Sequence, residues 1–159
     1  MTGAGAERVH DDDAHDLDRE LNELLQELRV ILPGIQVLFA FLLIVPFNGR
    51  FHRAGATTET AYFVAFIATT LAYIFTIAPG VQHRLRWRRH DKERLLRTAN
   101  RLTLIATVLV AIAIAAVAFL ITDYLYGPAY GTVLAAGAAL LATGLWWGLP
   151  LVREHRRGR

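Results

Sequence analysis

The feature that most constrains this chain is a series of four long apolar stretches separated by clusters of charged residues. Each stretch has roughly 18 to 25 mostly apolar residues, and a helix of that length crosses a hydrocarbon core of about 30 Å at about 1.5 Å per residue. A hydrophobic content of 54% with only 19% charged residues agrees with the membrane class. We therefore predict an all-α integral membrane protein, a four-helix bundle.

The same boundaries predict the domain organisation. Spans at about 30–47, 58–77, 102–122 and 129–151 form one membrane domain over residues 17–152. Residues 1–16 are rich in acidic side chains and are predicted to form a disordered acidic tail, and residues 153–159 a basic cytoplasmic tail. The His and Asp residues of segment 10–16 lack the preformed geometry of a metal site, so no metal is predicted there.

Basic residues divide unequally between the segments that join the spans. Of the 17 Lys and Arg residues, only Arg50 and Arg53 lie between spans one and two. The others precede span one, lie between spans two and three, or follow span four. Because Lys and Arg are retained on the cytoplasmic side, we predict a protein of the bacterial cytoplasmic (inner) membrane with both termini in the cytoplasm.

The densest basic run is HRLRWRRHDKERLLR at 83–97. Runs of this kind also occur in nucleic-acid-binding proteins. Its position between two spans instead favours contact with anionic lipid headgroups, and no nucleic acid is predicted as a partner. The predicted headgroup contacts are Arg84, Arg86, Arg88 and Arg89.

The segment that leads into span one is amphipathic. From residue 17 to residue 32, Leu and Ile recur at helical spacing while acidic and basic residues fill the other faces, which predicts an interfacial helix. At Pro33 and Gly34 the sequence becomes almost continuously apolar. Because proline removes a backbone donor and clashes with the preceding turn, we predict a bend there; a straight helix that tolerates Pro33 is the alternative.

A few polar residues lie inside the predicted spans. An amide that faced lipid would be unpaired, so Gln36 is expected to face the other helices. Spans two and three each carry polar residues on one helix face. Together with Gln36 they form the inner polar set, which comprises Gln36, Thr69, Tyr73, Thr76, Asn100, Thr103 and Thr107. Two interpretations stay open: interhelical contacts that stabilise the bundle, or a small hydrated vestibule that opens to the cytoplasm.

A second group of polar residues is predicted at the opposite ends of the spans. This outer polar cluster consists of His52, Arg53, Glu59 and Asp123. An ion-pair or capping role at the headgroup boundary is favoured over catalysis. The chain has no cysteine and no HExxH, GxSxG or glycine-rich phosphate loop. We therefore predict no catalytic residues, no cofactor and no enzymatic activity.

Small residues recur every four positions in span four, at Gly127, Gly131, Ala135, Ala139 and Thr143. Such a stripe lets two helix backbones approach closely. Span four is therefore expected to pack tightly within the subunit or against a second copy, which makes a homo-oligomer one of the predicted assemblies.

Two stretches also carry a family resemblance. ELLQELRVILPGIQVLFAFLLIVPF at 23–47 and APGVQHRLRWRRHDKERLLRTANRL at 78–102 resemble an uncharacterised family of small four-span membrane proteins found mainly in actinobacteria. The resemblance extends over about residues 17–151. Some members of that family are labelled automatically as sodium:proton antiporters, and the resemblance implies no defined catalytic or transport residues.

The leading functional hypothesis is a non-enzymatic structural or accessory membrane subunit that acts through lipid and protein contacts. The alternative is a small cation or proton transporter that uses the inner polar set. Coupled antiport generally needs a carboxylate within the membrane, whereas Glu59 and Asp123 lie at the ends of their spans. The residues therefore favour the first hypothesis.

Overall fold

The computed structural model describes residues 3–49, 51, 54–86 and 92–148, and this part of the chain is helical and contains no strand. Helix α1 comprises Gly3–Ile44 and is followed by a 3₁₀ turn at Val45–Phe47. Helices α2 and α3 comprise Ala56–Arg86 and Lys92–Tyr126. Helix α4 comprises Pro128–Thr143 and continues as a π-helical turn at Gly144–Gly148. The all-α prediction is confirmed.

Each of these four helices contains a stretch long and apolar enough to cross a membrane. The stretches are Asn22–Phe47, Ala56–Gln82, Leu96–Tyr126 and Pro128–Trp146. They overlap the four predicted spans, although the first begins at Asn22 rather than at residue 30, and four candidate membrane helices are confirmed.

Helix α1 begins much earlier than its apolar pattern. It extends back to Gly3, through residues for which the sequence predicts a disordered acidic tail. Ala, Glu and Arg in that segment are good helix formers, whereas the more numerous Asp, His and Gly are weak ones. Extending an existing helix costs far less than starting one, so the apolar segment that follows can propagate the helix toward the N-terminus.

Two Pro-Gly steps lie inside helices rather than at their ends. Helix α1 continues through Pro33 and α2 continues through Pro79. Pro33 is exposed, whereas Pro79 is fully buried. Proline is tolerated in membrane helices because neighbouring groups satisfy the backbone that it frees. The change of character at Pro33 is therefore a change of composition within one uninterrupted helix, and the bend there stays a prediction.

The connection between α3 and α4 is a single residue, Gly127. Its φ of +93° is one that residues with a side chain rarely adopt, which is why glycine is needed there. The Gly127 N–H donates to the carbonyl oxygen of Asp123 at 2.9 Å and so caps α3. Pro128 then starts α4 at a position where its missing N–H costs nothing.

Buried residues recur every seventh position on the first three helices. They are Leu28, Ile35 and Leu42 on α1; Thr58, Ala65, Ala72 and Pro79 on α2; and Ala99, Ala106, Ala113 and Leu120 on α3. A seven-residue repeat keeps one face of a helix against its neighbour and is typical of left-handed bundles. The same periodicity therefore sets which face each of the three helices turns inward.

The contact between α2 and α3 is the most extensive in the bundle. We call it the alanine seam, after its buried residues Ala65 and Ala72 on α2 and Ala106 and Ala113 on α3. Small side chains let the two backbones approach closely, which favours association of helices in lipid. Helix α3 also contacts α1 and α4, whereas α4 contacts no helix other than α3 within the described residues. Helix α3 is thus the centre of the arrangement.

The contact between α1 and α2 is built from rings. Phe51 lies edge-on to Tyr62, with centroids 5.1 Å apart, and Tyr62 stacks on Phe66 at 6.1 Å. Phe39 of α1 stacks on Phe66 at 5.7 Å and on Tyr73 at 6.2 Å. We call this row of five rings the aromatic seam. The Tyr62 hydroxyl also donates to the carbonyl oxygen of Leu42 at 3.2 Å and so joins the two helices.

Candidate functional site

Gln36 and Tyr73 are brought together at one end of the aromatic seam. Gln36 Nε2 donates a hydrogen bond to Tyr73 Oη at 3.2 Å. The two residues lie on α1 and α2, so this bond joins two spans, as the sequence analysis expects for an amide in a membrane. Gln36 is nevertheless exposed on the surface of the bundle rather than enclosed by it.

The threonines of the inner polar set bond to their own helices instead. Thr69 and Thr76 are buried, and each donates to the carbonyl oxygen four residues earlier, at Ala65 and Ala72 respectively, at 2.7 Å. On α3 the Thr103 and Thr107 hydroxyls donate in the same way at 3.0 and 2.9 Å. A hydroxyl that donates to its own backbone has used its proton without reaching another helix.

The inner polar set therefore makes one bond between helices, from Gln36 to Tyr73, while its threonine hydroxyls donate within their own helices. Asn100 lies on an exposed face of α3, outside this group. Buried side-chain nitrogen and oxygen atoms all have partners in the part of the chain that the structure describes. Nothing in that arrangement requires water between the helices, because each buried hydroxyl is already paired.

At the opposite ends of the spans, Asp123 accepts a hydrogen bond from Thr58. Thr58 Oγ1 donates to Asp123 Oδ2 at 2.5 Å, and Thr58 itself is buried. The bond connects the first turn of α2 to the last turn of α3. A hydroxyl bond to a carboxylate is stronger than a neutral one and shorter, in the range found here. The bond from Thr58 to Asp123 joins α2 to α3 at this end of the alanine seam.

Thr58 is the residue of this site that the sequence analysis omits. The predicted outer polar cluster paired Asp123 with charged residues, but Glu59 is exposed in the first turn of α2. An acidic side chain there complements the positive end of the helix dipole. His52 and Arg53 lie outside the described residues. Thr58 and Asp123 do lie at the same ends of consecutive spans, but their pairing depends on the register between α2 and α3.

Asp123 is also where α4 packs most closely on α3. Gly131 is buried, and a Cβ at that position would lie 3.2 Å from Asp123 Cβ, from the Asp123 backbone nitrogen and from Phe119 Cδ2. Gly137 has open space instead. The small-residue stripe of span four thus makes its close approach within the subunit, at Gly131.

A cavity of about 260 Å³ lies beside the Thr58–Asp123 bond. Its wall is formed by the ends of α1, α2 and α3 and is mainly apolar, with Phe41, Phe51, Leu120 and Tyr124 among the lining residues. A wall of this kind suits hydrocarbon rather than a charged substrate.

The four predicted lipid contacts lie at the end of α2 and in the sequence that follows it. Arg84 and Arg86 belong to the last turn of α2, and Arg88 and Arg89 lie outside the described residues. Among the described residues, no three His, Asp or Glu side chains are grouped so as to hold a metal ion.

The sequence profile of a family of unknown function, DUF6328, matches residues 10–150 of the chain. Neither a curated protein nor a solved structure matches it. The matched region contains all four candidate spans, the Gln36–Tyr73 bond and the Thr58–Asp123 bond. The chain therefore belongs to the DUF6328 family.

Proposed function

We propose that this member of the DUF6328 family is a non-enzymatic structural or accessory subunit of the bacterial cytoplasmic membrane, which acts through lipid and protein contacts. The observation that carries the proposal is the local bonding of the span threonines. Thr69, Thr76 and Thr103 each donate to the carbonyl four residues earlier on the same helix. Each of these hydroxyl protons is used within one helix, so helix structure accounts for the threonines and no transported ion is needed to explain them.

The distribution of acidic residues supports the same proposal. Segments 28–58, 60–90, 94–122 and 124–153 contain neither Asp nor Glu. A sodium:proton antiporter exchanges a proton for a cation at an ionisable group inside the membrane. Asp123 and Glu59 are instead near the ends of α3 and α2, where Asp123 accepts a hydroxyl bond that holds those two helices together.

Ion flux through purified protein in liposomes tests this proposal. With an imposed pH or sodium gradient, we expect the same flux as in protein-free liposomes, because no carboxylate lies within the spans to exchange a proton for a cation. Flux that depends on the protein and disappears in Gln36→Leu would reject the scaffold role and establish the transporter alternative. Thr132→Val is a matched control, since Thr132 is exposed and donates to the Pro128 carbonyl of its own helix.

We further propose that both termini and the 87–91 segment lie in the cytoplasm, following the distribution of Lys and Arg. A bend of α1 at Pro33, which is part of the proposal, lets its amphipathic residues 17–32 lie along the cytoplasmic surface. The polar side of that segment carries the ion pair between Arg19 Nε and Glu23 Oε1, at 3.1 Å, and both side chains are largely exposed. Exposed pairs of this kind belong in water rather than in hydrocarbon.

Anionic lipid is the proposed ligand of the basic segment. Replacing Arg86, Arg88 and Arg89 by Gln should reduce the anionic lipid that remains bound to the purified protein, with no change for zwitterionic lipid, because headgroup attraction falls with each positive charge removed. Native mass spectrometry measures both. The matched control is the same loss of charge in the tail, at Arg153, Arg156 and Arg157. Equal losses of both lipid types, or equal effects of both variants, would contradict a specific contact.

A further inference from the structure

The ends of α1, α2 and α3 surround the cavity of about 260 Å³ that lies beside the bond from Thr58 to Asp123. The candidate spans of α1 and α3 end at Phe47 and Tyr126, and that of α2 begins at Ala56. The residues of the wall that belong to these spans lie within about 9 Å of those ends, counted along the helices. They include Phe41, Ile44, Leu120, Ile121 and Tyr124. The cavity is therefore at the depth of hydrocarbon, near the headgroup boundary.

The cavity is closed toward the bundle and open toward the membrane. Its inner side is formed by Thr58 and Leu120, which are both buried. Its rim is formed by Ile44, Ile121 and Tyr124, whose side chains are 69%, 43% and 49% exposed. Among the described residues, none of α4 lines it. A ligand can therefore enter from the side, out of the surrounding lipid.

Water and a helix are both poor occupants of this space. A buried water needs about two to four polar partners, whereas the wall is mainly apolar and the Thr58 proton is already donated to Asp123. One turn of a helix, about 10 Å wide and about 5.4 Å long, fills roughly 400 Å³, which exceeds the whole cavity. An empty cavity would deprive its lining of dispersion contacts. A lipid chain is apolar, is one carbon wide and is present in the membrane at this depth.

We infer that this cavity binds one acyl chain of a membrane phospholipid, which joins the ends of α1 and α3. The chain lies against Phe41 and Ile44 on one side and against Leu120 and Ile121 on the other. Because the wall recognises the chain rather than the headgroup, phospholipids with neutral headgroups bind there too. The site is at the opposite end of the bundle from the basic segment 83–97, where the proposed lipid contact depends on charge. It goes beyond the proposed scaffold role and does not depend on it.

Native mass spectrometry tests the site on protein purified with dioleoylphosphatidylcholine as the only phospholipid. We expect the wild type to retain one phosphatidylcholine and Ile121→Trp to lose it, because the larger side chain occupies the cavity. Ile105→Trp is the matched control, since Ile105 is on the same helix, is 43% exposed like Ile121 and does not line the cavity. No lipid retained by the wild type, as when a second copy fills the cavity, or equal retention by the two variants, would overturn the inference.

A measurement on the wild-type protein locates the chain. A phosphatidylcholine with a photoreactive diazirine in the upper half of one acyl chain is added to membranes, loosely held lipid is removed with detergent, and the label is mapped after irradiation. We expect label in residues 41–51 and 120–125. Leu134 on α4 is the comparison, because it is 51% exposed and lies within about 2 Å of the depth of Ile121. Equal label at Leu134, or label confined to other residues, would contradict an acyl-chain site in this cavity.

Discussion

The alanine seam and the aromatic seam hold neighbouring helices together in different ways. In the alanine seam, Ala65, Ala72 and Ala106 are buried and the two backbones approach closely. In the aromatic seam, rings such as Phe39 and Phe66 fill the space at centroid distances near 6 Å. Lipid is as apolar as either seam, so burial of apolar area adds little and the quality of packing decides stability. The contact between α2 and α3 therefore depends on close approach of the two backbones, and the contact of α1 with α2 depends on the packing of rings.

The largest effect is expected from overfilling the alanine seam. Ala72 is fully buried, so Ala72→Leu should destabilise the protein by about 1–3 kcal/mol, because the extra atoms force the two backbones apart. The free energy of unfolding in mixed detergent, followed by circular dichroism, measures this. Ala136→Leu on the exposed face of α4 is the control. If the two variants were equally stable, the close approach of α2 and α3 would be disproved.

A second variant extends the comparison to the contact between α3 and α4. A Cβ at Gly131 meets Asp123 and Phe119 at 3.2 Å, whereas one at Gly137 meets nothing within 4 Å. Alanine at Gly137 should gain helix propensity without a clash. We expect Gly131→Ala to be less stable than Gly137→Ala by about 1–2 kcal/mol in the same unfolding measurement. If Gly131→Ala were as stable as Gly137→Ala, α4 would not approach α3 closely at Gly131.

Removing a central ring probes the aromatic seam. Phe66 stacks on both Phe39 and Tyr62, so Phe66→Leu should cost about 1 kcal/mol through the loss of ring contacts. Phe63→Leu is the matched control, since Phe63 is 63% exposed on the same helix. Thermal unfolding of both variants in one detergent measures the difference. If Phe66→Leu destabilised the protein more than Ala72→Leu does, the aromatic seam would contribute more to stability than the alanine seam.

The smallest effect is expected for the hydroxyl that joins α1 to α2. Tyr62→Phe removes the bond to the Leu42 carbonyl, and hydrogen bonds between membrane helices contribute about 0.6 kcal/mol on average. Tyr130→Phe is the control, because Tyr130 is exposed and its described contact is with the ring of Tyr126. Hydrogen exchange of the α1 backbone provides the measurement. Unchanged exchange in Tyr62→Phe, or an equal increase in both variants, would contradict a contribution from the bond to Leu42.

The spans could be predicted because their signal is composition over a length, which does not depend on neighbouring helices. The partner of Gln36 could also be predicted from composition. An amide in hydrocarbon needs a polar partner, and Tyr73 is one of the few polar residues in the spans. The extension of α1 to Gly3 has no clear signal in residues 3–16, because Asp, Gly and His, which are weak helix formers, outnumber Ala, Glu and Arg there.

The bonding of the threonines could not be predicted. A threonine in a helix can donate to a neighbouring helix or to its own carbonyl four residues earlier, and the two cases have the same sequence. Thr69 and Thr76 donate to carbonyl oxygens of their own helix. The bond from Thr58 to Asp123 was missed because it depends on the register between α2 and α3. That register is set by alanines whose spacing carries little signal in so alanine-rich a chain.

The central position of α3 has a consequence for biosynthesis. Helix α3 is third to leave the ribosome, yet it contacts all three of the others. The part of α1 that contacts α3 must therefore wait in the translocon or in lipid until two more helices have been synthesised. A nascent chain arrested after α2 would be held together by the aromatic seam and by the bonds from Tyr62 to Leu42 and from Gln36 to Tyr73, and the arrival of α3 would then complete the arrangement.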